Sequence, residues 1–117
     1  MAQAFPFDSK LRRSLPEEHG IYRIFDPSEP HATVRAGRTK TAHGGLRQRI
    51  YQNHFMGAQP GNLRAQMVRA GVCPTLDHAK DFIRTNLRVQ FLIRTDPEQR
   101  RWLEYVMLAA LRPRFCD

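Results

Sequence analysis

The stretch "HGIYRIFDPSEPHATVRAGRT", residues 19–39, decides the fold. "HGIYRIF" is β-branched and aromatic, "DPSEP" is a turn cluster, and "HATVRAGRT" is a second extended run, so the segment predicts a hairpin with a five-residue loop. Gly37 is expected to end its second strand. The hairpin also sets Tyr22 in an apolar run, where a phenol is either an ordinary half-buried strand residue or a group with chemistry to perform.

Downstream, "GGLRQRIYQNHFM" spaces Leu46, Ile50 and Phe55 for a helix from near Gly45 to near Gly57. "GAQPGN" is a loop, and Asn62 then caps "LRAQMVRA", a short helix closed by Gly71. Thr75 caps "LDHAKDFIRTN". "LRVQFLIR" alternates Leu87, Val89, Phe91 and Ile93 with Arg88, Gln90, Leu92 and Arg94, the pattern of a strand with one wet face. Asp96, Pro97 and Glu98 supply the preferred chemistry for starting a last helix that ends before Pro113. The expected order is β-β-α-α-α-β-α, an α+β fold with a small three-stranded sheet flanked by helices. Residues 1–18 read as an N-terminal arm laid over a single domain at 19–117.

At 117 residues the chain is long enough to bury a core without disulfides. Cys73 and Cys116 form no CxxC pair, which argues against a zinc cage or disulfide framework and for a reducing, cytoplasmic setting. No apolar run approaches the roughly 20 residues of a membrane span. Lys plus Arg number 19 against 11 Asp plus Glu, a formal charge of +8, which points to a polyanionic partner, DNA first. Only Lys10, Lys40 and Lys80 are lysines, leaving sixteen arginines, the side chain whose planar fork grips phosphate at two points.

Several residues could carry chemistry. From Trp102 to Leu111 the last helix is apolar except at Glu104, so it is expected to be buried on most sides, and a carboxylate there needs compensation. An arginine salt bridge would supply it, and so would a divalent cation, since Mg²⁺ is commonly held by one or two carboxylates plus waters and phosphate oxygens. Arg47 and Arg49 lie on the helix after Gly44 and Gly45, whose N-terminal N–H groups are expected to face any nearby phosphate. "GRTKTAHGG" lacks the spacing of a P-loop and counts only as a basic binding patch.

"GIY" at Gly20–Tyr22, "RAGRT" in the second strand, "LRQR" at Leu46–Arg49, and Glu104 nine residues before Pro113 together resemble the GIY-YIG nuclease family. The ending "LRPRF" is similar to that family's tail, and the resemblance covers residues 19–116. It implies a metal-dependent endonuclease on a β-β-α-α-β-α core, hydrolysing DNA phosphodiester bonds with one Mg²⁺ or Mn²⁺. Carried across, Tyr22 is the general base or its assistant, Arg49 stabilises the phosphoryl charge, and Glu104 holds the metal. Arg38, Lys40, Arg47 and Arg64 are the candidate DNA contacts. Any selectivity beyond a few base pairs would come from a homodimer or a separate targeting subunit.

Three positions depart from the pattern: Arg35 stands where the second motif tyrosine belongs, Asn53 where a His or Tyr does, and Cys116 at the tail asparagine. Hairpin pairing would set Arg35 on the face of Tyr22, where its charge would favour the ionised phenol. His54 could replace the residue missing at 53 only if the helix locally shifts register. The alternative is a catalytically impaired module that keeps the fold and binds nucleic acid.

Overall fold

The computed structural model describes residues 3–40 and 43–115. Its elements are β1 (Phe5–Pro6), α1 (Leu11–Ser14), β2 (Gly20–Phe25), β3 (Thr33–Arg38), a π-helix (Arg47–Phe55), α2 (Leu63–Arg69), α3 (Leu76–Asn86), β4 (Arg88–Ile93) and α4 (Pro97–Leu111). Four strands form one sheet in the order β1-β4-β2-β3, and every neighbouring pair is antiparallel.

The hairpin forms, but its loop is seven residues long, 26–32, rather than five, because the second strand begins at Thr33. The Asp26 carboxylate accepts the Ser28 N–H at 2.9 Å, and the Asp26 carbonyl accepts that of Glu29. Strand β3 runs one residue past Gly37, to Arg38. The register sets Tyr22 opposite Gly37 and Ile24 opposite Arg35, so the side chains of Tyr22 and Arg35 share a face, as the strand period requires.

Three expectations need correction. The sheet has four strands because residues before 19 are built into the domain: Phe5 pairs with Val89 on the open edge of β4, while Phe7, Leu11 and Leu15 are buried among Ile24, Leu46 and Ile50. Leu11 reaches the core from the single turn of α1, with Phe7 and Leu15 entering it from the bends on either side. The helix after Gly45 is a π-helix, with its buried Leu46, Ile50 and Phe55 set four and five residues apart. And α4 is not buried on most sides: it packs on β3 and β2 with one face, while Trp102, Tyr105 and Val106 are exposed.

The helix caps follow the sequence chemistry. Thr75 Oγ1 accepts the His78 N–H, and Asp96 Oδ1 accepts the N–H groups of Glu98 and Gln99 with Pro97 at the first turn. Asn62 precedes α2 in extended conformation without a side-chain cap bond. Gly71 closes that helix with a φ of 76°, a left-handed conformation that suits glycine. Among the described residues no helix is long and apolar enough to cross a membrane.

Candidate functional site

Tyr22 lies at the centre of β2 and points toward the π-helix. Its Oη is 2.6 Å from His54 Nε2, with both side chains buried. A regular α-helix groups residues three and four apart on one side, whereas i→i+5 bonding brings residues five apart together. The main-chain N–H of Met56 bonds the carbonyl of Tyr51, five residues back. This widened turn carries His54 to the buried side facing Tyr22 and leaves Asn53 half-buried. The register shift that His54 required is thus present.

The protonation of His54 follows from its surroundings. Nδ1 accepts the main-chain N–H of Leu63 at 3.2 Å, so that nitrogen carries a lone pair. Burial, reinforced by the nearby charges of Arg35 and Arg49, holds the imidazole pKa well below its usual value, so the ring is neutral. The single ring proton therefore sits on Nε2 and is donated to the Tyr22 oxygen. A ring fixed in this tautomer is no base toward the phenol; it orients the oxygen and stabilises negative charge on it.

Gly37 completes the enclosure. A β-carbon at that position would lie 2.8 Å from Tyr22 Oη, closer than such atoms approach, so the phenol fits against β3 only because residue 37 is glycine. Arg35, on the same face two residues earlier, is fully buried and donates to the Gly61 carbonyl at 3.2 Å and to Gln66 Oε1. Its guanidinium ties β3 to the loop before α2 and to α2 itself, and its charge adds to the depression of the His54 pKa.

A cavity of about 270 Å³ opens between the end of β3 and the π-helix, and neither Tyr22 nor His54 is among the residues that line it. Arg38, Lys40 and Arg49 supply its charge, Thr39, Gln48 and Asn53 its polar groups, and among the described residues no carboxylate lines it. Three cations on a concave surface are suited to phosphate. The floor is made possible by Gly45, which has a φ of 52° and no room for a β-carbon, since one would lie 2.2 Å from the Glu17 carbonyl oxygen.

Three N–H groups at the start of the π-helix are already taken by carbonyls and do not face a phosphate, contrary to the sequence expectation. Leu46 and Arg47 donate theirs to the carbonyls of Glu18 and Pro16, and Gln48 donates to that of Gly44. Arg47 itself is turned to the N-terminal segment, with Nε on the Leu15 carbonyl at 3.0 Å and a 2.7 Å ion pair to Glu17. Arg64 is buried and donates to the carbonyls of Leu76 and Met56. Both arginines hold chain segments together, whereas Arg38 and Lys40 line the cavity.

Glu104 reaches the outer edge of β3. Its Oε2 accepts the Arg38 main-chain N–H at 3.1 Å, and its Oε1 is 3.1 Å from Arg38 Nε. Arg38 therefore joins the cavity to this carboxylate, whose side chain is 14% exposed. Among the described residues no three His, Cys, Asp or Glu side chains cluster to enclose a metal. The donor chemistry still suits Mg²⁺: Oε2 keeps a second lone pair beyond its bond from the Arg38 main-chain N–H, Oε1 is held by Arg38 only as an ion pair without a hydrogen bond, and one hard oxygen donor plus waters and phosphate is an ordinary Mg²⁺ environment.

Arg100 escaped sequence reading. It is buried on α4 and donates to the carbonyls of Thr39, Arg94 and Thr95, gathering the ends of β3 and β4 beneath the helix start. Its only sequence signal is a charge in the first turn of a helix that otherwise starts acidic. Cys116 lies outside the described residues. No protein-family model matches this sequence, and no curated protein or solved structure is significantly similar to it.

Proposed function

We propose that the chain is a GIY-YIG-type endonuclease that hydrolyses DNA phosphodiester bonds with the help of one Mg²⁺ or Mn²⁺. The observation that carries this reading is the 2.6 Å hydrogen bond from a tautomer-locked His54 to Tyr22, on the same π-helix that presents Arg49 to a cavity of three cations. Arg38, Lys40 and Arg49 bind the phosphate backbone, and Arg49 balances charge that develops on the phosphoryl oxygens. Tyr22 would act as the phenolate, stabilised by the His54 Nε2–H; it takes the proton of the attacking water and returns to the neutral phenol, so that His54 is a positioning residue. Glu104 would hold the metal, which when bound supplies Lewis-acid polarisation of the phosphate and stabilises the leaving oxygen.

A second reading is favoured by two particular observations. Tyr22 is only 1% exposed, and both Glu104 oxygens are engaged by Arg38. Both features suit a module that binds nucleic acid through the same cavity without cutting it. Plasmid nicking with Mg²⁺ or Mn²⁺, with and without EDTA, separates the two. A nuclease nicks in a metal-dependent manner and loses that activity in Tyr22→Phe and Glu104→Ala. Equal, metal-independent traces from all three proteins, alongside retained DNA binding, leave the module.

A further inference from the structure

The outward face of α4 carries a stripe of Trp102, Tyr105, Val106, Ala109 and Ala110, exposed at every position although the run is apolar. Their spacing of three and one residues keeps them on one side of the helix, opposite the face that packs on β3 and β2. Leu92, itself 43% exposed, and Met107 line an apolar groove alongside and extend the patch onto the sheet. On a chain of charge +8, a contiguous apolar face of this kind marks a contact surface.

Its chemistry selects the occupant. The apolar stripe is bordered by only two cations, Arg101 one turn before Tyr105 and Arg23 in the groove, while Arg38, Lys40 and Arg49 gather in the cavity between β3 and the π-helix, so a polyanion fits better there. The N-terminal half of the stripe is a ridge, with Trp102 and Tyr105 packed edge to face at 6.1 Å, and the C-terminal half is shallow, with Ala109 and Ala110. The helix begins with the carboxylates Asp96 and Glu98 and is followed by Arg112 and Arg114, all four exposed. A twofold rotation near Tyr105 sets the Trp102 end of the ridge beside the shallow end of the second copy, with the two Tyr105 rings at the axis, acid against base, and the two helix dipoles antiparallel.

We infer that this face is a homodimer interface, in which α4 of one copy packs antiparallel on α4 of a second copy of the same chain. The inference is independent of whether the cavity belongs to a nuclease.

Sedimentation velocity on the full chain over a concentration series tests it. The wild type shows a concentration-dependent doubling of mass, and Tyr105→Glu or Trp102→Lys weakens dimerisation about tenfold or more, as loss of an aromatic anchor at the centre of an interface does. Glu98→Arg weakens it as well, and adding Arg112→Glu restores it. All these side chains are exposed, and a circular dichroism melt confirms that each variant is folded. A wild type that stays monomeric throughout overturns the proposal, as does a dimer that Tyr105→Glu and Trp102→Lys leave intact. Failure of the charge swap to restore association overturns the antiparallel arrangement. A monomer whose Trp102 fluorescence is quenched by single-stranded DNA assigns the stripe to base stacking instead.

Discussion

Tyr22 Oη and His54 Nε2 lie 2.6 Å apart, and the proton between the two rings belongs to the imidazole, because Nδ1 accepts the Leu63 N–H. The relationship depends on backbone as much as on side chains. A π-turn puts His54 on the buried side, the start of α2 supplies the Leu63 donor, and Gly37 leaves room for the phenol. Orientation of the tyrosine oxygen is thereby built into the junction of three elements.

Replacing Tyr22 by phenylalanine keeps the ring and removes the oxygen. The buried His54 Nε2–H then loses that acceptor, a loss of about 1–3 kcal/mol in stability. Thermal denaturation should show a lower midpoint with the folded circular dichroism spectrum retained. In the nicking assay the variant should fall by about 10²-fold or more, the scale of losing a positioned proton acceptor. Unchanged nicking with the lower midpoint would reduce Tyr22 to a structural residue.

Stability should fall in mild acid because of His54. Its folded pKa is depressed, so the unfolded chain binds this proton more readily and acid favours unfolding. The contribution is fully present above the unfolded value of about 6.5 and is lost as pH drops below it, with a slope approaching about 1.4 kcal/mol per unit until the lower folded pKa is reached. Urea midpoints between about pH 7.5 and 5 should show this descent, and His54→Gln, which does not titrate, should flatten it. An equally steep descent in the variant would place the acid sensitivity in other groups.

The hairpin and the two strong caps were legible because their signals are local: an Asp-Pro turn between β-branched runs, and Thr75 or Asp96 ahead of a helix. The π-turn was not legible, because Leu46, Ile50 and Phe55 read as ordinary helical spacing even though the five-residue step from Ile50 to Phe55 fits a regular helix poorly. Phe5 and Pro6 could not be read as a strand, since two residues have no period and pairing with β4 is a long-range event. Which side of α4 stays uncovered was also hidden, because a helix apolar nearly all round does not name the face that packs. Arg47 and Arg64 could not be told from Arg38 for a like reason: the same guanidinium donors serve a carbonyl oxygen or a phosphate.

That division of the arginines predicts a divided mutational response. If Arg38, Lys40 and Arg49 contact phosphates, replacing each by glutamine should reduce the slope of log affinity against log salt by about one, measured by fluorescence anisotropy on a short duplex. Arg64→Gln removes two bonds to main-chain carbonyls in a buried setting and should lower the melting midpoint. A salt slope that none of the three cavity variants alters would remove the cavity from the DNA-binding surface.

Glu104 carries the sharpest test of metal dependence, because its response can be measured without turnover. A cation that binds the folded chain and not the unfolded one raises the melting midpoint with its concentration. Wild type should therefore be stabilised by Mg²⁺ and by Mn²⁺, and Glu104→Ala should not. Arg38 adds a control, since its Nε lies 3.1 Å from Oε1 where it competes with a cation for the carboxylate. Arg38→Gln should consequently shift at lower Mg²⁺ concentration than wild type while losing affinity for DNA. If wild type gains nothing from either cation, in the presence or absence of DNA, Glu104 is the structural partner of Arg38 and the binding-module reading stands.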